Sequence, residues 1–400
     1  MRSTDPEGGG VASPLVSVVM ANFQAGEKLA QAIKSVLAQS NGSLELIICD
    51  DASSDDSVAI AERFACEDSR VKVISATQNG GPARSRNRGL GAAIGHWIAI
   101  VDSDDLIHPE RFERLLAVAA YSDADIITDD LLEFFEDGSP CKLFLGEDDD
   151  QLFSVSPEQW IAAGIDDTRP LGYLKPLIRR RALGHLRYEE NLRIGEDYDL
   201  VLRLLLAGAK MMVFPEPYYL YRRHSASISH RLSAAHLQAM LESQDNLERT
   251  LGSIALPVAA AFEARREQLE QGLQFERLVE AIKTGRLTSA VPLLLSHPEL
   301  GERLWQSFAE GRLRRNQRTR EAARSPERIE LGSNGHRVPG YVPVSQMNWE
   351  APVARQTWLR LAQLSNGRPA AITCPDQAAR YAAGFVPMAQ LNEAPAELVE

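Results

Sequence analysis

Strand-length apolar runs alternate with helical stripes over the first hundred residues of this chain. Leu15 to Met20 is such a run; it ends in Ala21, Asn22, Phe23 and Gln24, and Leu29, Ile33, Val36 and Leu37 then recur at helical spacing. Leu44 to Cys49 predicts a second strand, ending in Asp50, Asp51, Ala52, Ser53 and Ser54 before a helix face of Val58, Ala61, Phe64 and Ala65. Val71 to Ile74 predicts a third, followed by the turn Gln78-Asn79-Gly80-Gly81-Pro82 and a helix to Ile94. The fourth, Trp97 to Val101, stops abruptly in Asp102, Ser103, Asp104 and Asp105 before a helix that starts near Pro109. Strands alternating with helices imply an α/β fold, a mostly parallel sheet with helices on both faces.

After that the rhythm changes. Ala124 to Thr128 predicts a fifth strand, and Leu131 to Phe135 with Lys142 to Leu145 a hairpin; the acidic run Glu147 to Asp150 reads as a solvated loop. Tyr173 to Ile178 predicts a strand entering Arg179-Arg180-Arg181. Gly195 to Gly208 predicts a helix with Glu196, Asp197 and Asp199 in its first turn, and Met211 to Phe214 and Tyr218 to Tyr221 predict two short closing strands. From Leu232 to Gln317 the pattern is helical, with Leu269, Leu273, Leu278 and Ile282 as a packing stripe; Ile329 to Glu400 carries scattered prolines and no clear period. The expected organisation is a flexible Gly-, Ser- and Pro-rich lead-in over residues 1–13, an α/β domain over 14–229, a mainly helical extension over 230–328, and a C-terminal segment over 329–400.

Composition narrows the classes. The chain has 400 residues, 44% of them hydrophobic, enough for a large core and more than one domain. A formal net charge of -12 argues against a nucleic-acid binder, so an anionic substrate would be met by a metal and a few local arginines. Cys49, Cys66, Cys141 and Cys374 form no CxxC pair and read as packing residues in a reducing compartment. No run approaches the roughly 18 apolar residues of a membrane span, and the N-terminus lacks the apolar centre of a secretory signal. The expected location is the cytoplasm, with peripheral attachment to the inner face of the cytoplasmic membrane as an option. The arginine-rich stretch Arg312 to Arg328 suits either a solvated basic helix, the favoured reading, or contact with anionic headgroups.

The polar residues after the strands carry the candidate chemistry, because in open α/β sheets ligands bind beyond the C-terminal strand ends. Asp102 and Asp104 can share a divalent cation with phosphate oxygens; Asp and Ser also favour ordinary turns and caps there. Asp50 and Asp51 can cap the next helix, and a carboxylate there can equally accept the imide N–H of uracil. Phe23 offers a ring for a base to stack on, or a core contact. The Asn79 to Pro82 turn lets backbone approach a ligand; Arg84 and Arg88 share one face of the following helix while Arg86 points elsewhere, and one of these faces is expected to see phosphates. Asp197 at a helix start suits the helix dipole, or a general base. Neither GxGxxG nor GxxxxGK[ST] occurs.

The segments SVVMANFQAGEKLAQAIKSVLAQSNGSLELIICDDASSDDS, NGGPARSRNRGLGAAIGHWIAIVDSDD, GEDYDLVLRLLLAG and YRRHSASIS resemble, in content, order and spacing, the inverting glycosyltransferases of family two, which have the GT-A fold. The resemblance covers Pro14 to Ser229. It implies that Asp51 contacts the uracil of a UDP-sugar, with Phe23 stacking in place of the more usual tyrosine and Ala21 giving backbone contacts. Asp102 and Asp104 match the outer positions of a DxD motif, Asp104 binding Mn²⁺ or Mg²⁺ and Asp102 the metal or the ribose. Asp197 matches the catalytic base, with Glu196 beside it positioning the acceptor or a loop; His224 matches a histidine that reaches the metal or diphosphate, and Arg86 falls on an ARN arginine.

The implied reaction is a single displacement with inversion at the anomeric carbon of a UDP-sugar, glucose being the first choice. The chain lacks the QxxRW motif and membrane helices of cellulose- and chitin-type synthases, which favours addition of one sugar. The overall look is similar to glucosyltransferases of succinoglycan-type pathways, implying a saccharide acceptor, lipid-linked, in exopolysaccharide or other cell-surface biosynthesis. Donor and acceptor hydroxyls are expected to be read by the segment from Leu131 to Arg193. A noncatalytic nucleotide-sugar-binding or scaffold protein of the same fold is the alternative, disfavoured by the intact Asp102, Asp104, Asp197 and His224. A sugar nucleotidyltransferase would carry GxGTR, which is missing.

Overall fold

In the computed structural model the described residues are 14–135, 142–145, 151–165, 168–223 and 232–305, together with three short strands farther on. The first four predicted strands form as β1 (Val16–Asn22), β2 (Leu44–Asp50), β3 (Val71–Ser75) and β4 (Trp97–Ile100), alternating with α1 (Glu27–Leu37), α2 (Ser57–Glu67) and α3 (Pro82–Ala92). Every residue of β2 is buried, as expected of an interior parallel strand covered on both faces. These strands pair in parallel in the order β3-β2-β1-β4, so that Asn22 lies beside Asp50 at one rim. Asp102, Ser103 and Asp104 follow β4 at the same end. Close packing of α3 on the sheet depends on Gly89, where a Cβ would lie 2.4 Å from Val19 Cγ1.

The rest of the sheet is mixed, a departure from the mostly parallel expectation. The chain continues through β5 (Leu106–Ile107), α4 (Arg111–Ser122), β6 (Ile126–Phe135), β7 (Lys142–Leu143), β8 (Phe153–Val155), α5 (Pro157–Ile161), β9 (Leu177–Arg179), α6 (Arg180–Leu183), α7 (Glu196–Leu206) and β10 (Met211–Arg223). β9 lies antiparallel between β4 and β6, whereas β6 and β10 are parallel. The hairpin forms with Leu132 opposite Leu143, but its first strand is continuous with the predicted fifth. Likewise the two closing strands are one, β10, whose register against β6 shifts between Phe214 and Tyr219, across Pro215 and Pro217. Tyr173 to Pro176 is not strand: Pro176 has no N–H to donate to a ladder, and pairing begins at Leu177.

The helical extension forms as α8 (Ala234–Leu251), α9 (Leu256–Lys283) and α10 (Leu287–Ser296). Val258, Ala261 and Phe262 of α9 belong to the same buried cluster as the sheet. Farther along, Leu269 and Leu273 pack with Leu237 and Leu241, and Leu278 and Ala281 pack with Ala290 and Leu300. Ile282 leaves the predicted stripe: it is exposed, and Ala281 takes the buried position. Cys49 is buried as a packing residue, with burial pushing its thiol up to about 12, but Cys66, expected to pack likewise, is exposed on α2. Among the described residues no helix is long and apolar enough to cross a membrane. The acidic run 147–150, Cys141 and the arginine-rich stretch from 312 lie outside the described residues, and the C-terminal segment contributes a small parallel sheet, β11 (Ile329–Glu330), β12 (Ala371–Cys374) and β13 (Gln390–Glu393).

Candidate active site

The strand ends and the start of α7 converge on one cleft of about 660 Å³. Ala21 and Phe23 line it from the end of β1, Asp51 from the end of β2, Asp102 and Asp104 from the loop after β4, and Glu196 and Asp197 from the first turn of α7. Phe23 is 48% exposed, so its ring is available to a ligand and is not part of the core. Gly195 precedes α7 with φ 89°, a left-handed value that favours glycine and directs the acidic first turn into the cleft.

Asp50 and Asp51 divide their work. Asp50 turns inward, accepting from Asn22 Nδ2 at 2.7 Å and from the Ser53 amide at 2.9 Å, and fixes the loop. Asp51 faces the cleft; its Oδ2 accepts from the amides of Gly80 and Gly81 at 3.0 and 2.7 Å, and its Oδ1 lies 3.2 Å from Arg88 Nη2. Gly81 holds φ 87°, which lets the turn present both amides to one carboxylate. The arginines of α3 meet protein carboxylates: Arg88 supports Asp51, Arg84 is exposed 4.0 Å from Glu190, and Arg86 is buried under the cleft.

Arg86 centres a charged network. Its Nη1 is 2.5 Å from Glu196 Oε1 and 3.4 Å from Asp197 Oδ1, and its Nη2 is 2.8 Å from Asp102 Oδ1. Lys175, buried beneath the same carboxylates, places Nζ 2.8 Å from Asp102 Oδ2 and 3.3 Å from Asp197 Oδ2. Burial works against the charge on Lys175, but Asp102 and Asp197 hold its pKa well above the ordinary lysine value. Burial alone would raise Asp102; Lys175 and Arg86 hold it below the usual carboxylate range instead. Glu196 is pushed up by burial and by Asp197, with Arg86 opposing.

A second layer supports these groups. Arg111, fully buried, donates to Asp129 at 2.9 and 2.8 Å and also to the Lys175 carbonyl. Its guanidinium sits 4.9 Å from the centroid of Tyr219, whose hydroxyl accepts from the Asp102 amide at 3.1 Å and donates to Asp105 Oδ2 at 2.9 Å. Asp105, raised by burial and by Asp104 and Asp102, is thereby tied into the loop and away from the solvent-facing pair.

A family model described as "Glycosyl transferase family 2" matches residues 17–162. The succinoglycan biosynthesis protein ExoO of Rhizobium meliloti (strain 1021) is 33% identical over 290 residues, covering 71% of this chain and 82% of that protein. The chain belongs to glycosyltransferase family 2. A further family relative by sequence, the succinoglycan biosynthesis protein ExoU of the same organism, is 31% identical over 54% of this chain and 65% of its own length. Among solved structures, Staphylococcus aureus TarS 1-349 in complex with UDP-GlcNAc aligns with TM-score 0.50 at 18% identity, covering 71% of this chain and 91% of that one, a likeness of fold. The fold of this family 2 chain is GT-A-like, with a C-terminal helical region.

Of the residues singled out in the sequence, Ala21, Phe23, Asp51, Arg86, Asp102, Asp104, Glu196 and Asp197 line this family 2 cleft, whereas Asp50, Arg84 and Arg88 do not. His224 falls outside the described residues. Sequence reasoning missed Lys175, Arg111, Asp129 and Tyr219. The available signal was charge inside apolar runs, lysine in YLKPLI and the aspartates in IITDDLL, since a buried charge requires a partner.

Proposed function

We propose that this glycosyltransferase moves one hexose, glucose being the first choice, from a UDP-sugar to a hydroxyl of a lipid-linked saccharide acceptor. The pathway we infer is exopolysaccharide or other cell-surface biosynthesis, and the names of the relatives ExoO and ExoU support it. The observation that carries the reading is the convergence of Asp51, the Asp102/Asp104 pair and Asp197 on one cleft. The catalytic unit spans residues 14–229, and the enzyme works in the cytoplasm, at the inner face of the membrane where a lipid-linked acceptor would lie.

In this reading uracil stacks on Phe23, with Asp51 at its imide edge and Ala21 contributing backbone contacts. Asp197 accepts the proton of the acceptor hydroxyl as it attacks the anomeric carbon from the face opposite the diphosphate. General-base help of this kind contributes about 10²–10⁴-fold in rate. Glu196 acts with Arg86 to fix the start of α7 and does not itself take the proton.

The donor set fits a divalent cation shared with the substrate and does not fit a dedicated cage. Both oxygens of Asp102 already face cations, and the described residues contain no group of three His, Cys, Asp or Glu side chains that could hold a metal. Mg²⁺ characteristically uses one or two carboxylates and takes its remaining ligands from phosphate and water. Asp104 would hold such an ion, with Asp102 behind it and His224 as the third residue of the proposed set. When bound it would neutralise charge on the departing diphosphate.

The test is UDP release from UDP-glucose, UDP-galactose and UDP-GlcNAc, with Mn²⁺ and membrane lipid extract as acceptor source. The reading expects turnover of at least one donor, an inverted linkage in the product, and loss of turnover in Asp197→Asn. UDP binding without any turnover would favour the noncatalytic relative of the same fold.

A further inference from the structure

Lys175 lies buried in the cleft floor among the carboxylates of the site. Its ammonium bridges Asp102 and Asp197, and Arg86 bridges the other oxygens of the same two carboxylates, at 2.8 and 3.4 Å. Both oxygens of Asp197 therefore face a cation, so rotating its carboxylate breaks two charge contacts at once. Two constraints fix the backbone that presents the ammonium. Pro176 disfavours helical backbone at the preceding residue, and Arg111, anchored on Asp129, donates a hydrogen bond to the Lys175 carbonyl.

We propose that Lys175 is a positioning residue for sugar transfer: it bridges Asp102 to Asp197 and holds the Asp197 carboxylate aimed into the cleft. The proposal rests on the reading of Asp197 as the base. A base held in one orientation meets the acceptor hydroxyl in attack geometry, and small misplacement of such a group costs up to about 10²-fold. Lys175 contributes to the rate without touching the sugar. Lys175→Met keeps the length and packing of the stem and removes only the charge.

The experiment measures UDP release from UDP-glucose with Mn²⁺ for Lys175→Met, Lys175→Ala and Asp197→Asn, alongside UDP affinity by calorimetry. Lys175→Met should lower kcat by about 10–10²-fold while the donor KM and UDP affinity stay within about threefold, the signature of lost transition-state stabilisation. In Lys175→Ala, added methylammonium should restore part of kcat and ethanol of similar size should not. A kcat for Lys175→Met within threefold of wild type while Asp197→Asn is inactive would overturn the proposal and leave the base assignment standing; an active Asp197→Asn would overturn the base assignment itself. Equal rescue by ethanol would assign Lys175 a purely packing role. Independently of turnover, the lysine ammonium signal in the nitrogen-15 spectrum that disappears in Lys175→Met should shift in both Asp197→Asn and Asp102→Asn. An unmoved signal contradicts the bridge.

Discussion

Replacing Arg86 by methionine is the sharpest probe of the charged floor. The guanidinium is 5% exposed and Glu196 9%, whereas the side chains of Asp102 and Asp197 remain 23% and 22% exposed. Removing one partner of a buried pair costs about 3–5 kcal/mol, because the other charge stays buried and unpaired. That cost falls on Glu196. Asp102 and Asp197 keep Lys175 and reach water, so they add little. The unfolding free energy of Arg86→Met should therefore fall by about 3 kcal/mol near neutral pH, read from denaturant midpoints in urea.

The deficit should also depend on pH in a defined direction. Glu196 already has a raised pKa in the folded state, from burial and Asp197, and Arg86 restrains the rise. Without Arg86 the folded value climbs further. A carboxyl raised in this way favours folding below its unfolded pKa and loses that contribution as pH rises through the folded one. The deficit of Arg86→Met should be largest near neutral pH and shrink toward about pH 5. Adding Glu196→Gln should recover about 1–2 kcal/mol by removing the stranded charge. A deficit below about 1 kcal/mol, or one that grows on acidification, would show that the Glu196 charge does not depend on Arg86.

Asp197→Asn should reduce transfer by about 10²–10⁴-fold and leave UDP affinity within about twofold, checked by UDP release and calorimetry; loss of both together contradicts its role as base. Asp104→Ala should weaken UDP binding in Mn²⁺ by about tenfold or more and leave binding in EDTA unchanged, measured by calorimetry in the two buffers. Gly89→Ala should lower stability by about 1–3 kcal/mol in urea titration, because its Cβ would meet Val19 at 2.4 Å and Cys49 Sγ at 3.1 Å. An unchanged midpoint would show that α3 can move off the sheet at no cost.

The parallel half of the fold was legible because each strand there is a bounded apolar run and each helix a clean stripe. The site was legible for the same reason: polar residues at the ends of β1, β2 and β4 have to emerge at one rim once the strands are parallel. What the pattern could not show was pairing across sequence distance. β10 reads as two strands because Pro215 and Pro217 interrupt it, and only the neighbouring β6 and β5 reveal its continuity. Lys175 looks like a break in an apolar run, and becomes intelligible when β9 brings it beneath Asp102 and Asp197. Arg86 illustrates the same limit. Its position among the arginines of α3 suggested phosphate, whereas its partners come from residues 102, 196 and 197.

Binding of a UDP-sugar through Asp51 and a cation held at Asp104, as proposed, should be visible by thermal shift, since a ligand that binds the folded state raises its melting temperature. Titrating UDP, UDP-glucose, UDP-GlcNAc and GDP-mannose in Mn²⁺ and in EDTA should stabilise the protein with the uridine ligands in Mn²⁺, lose that effect in EDTA, and lose it again in Asp104→Ala. Stabilisation by GDP-mannose alone, or by no nucleotide at all, would contradict the account.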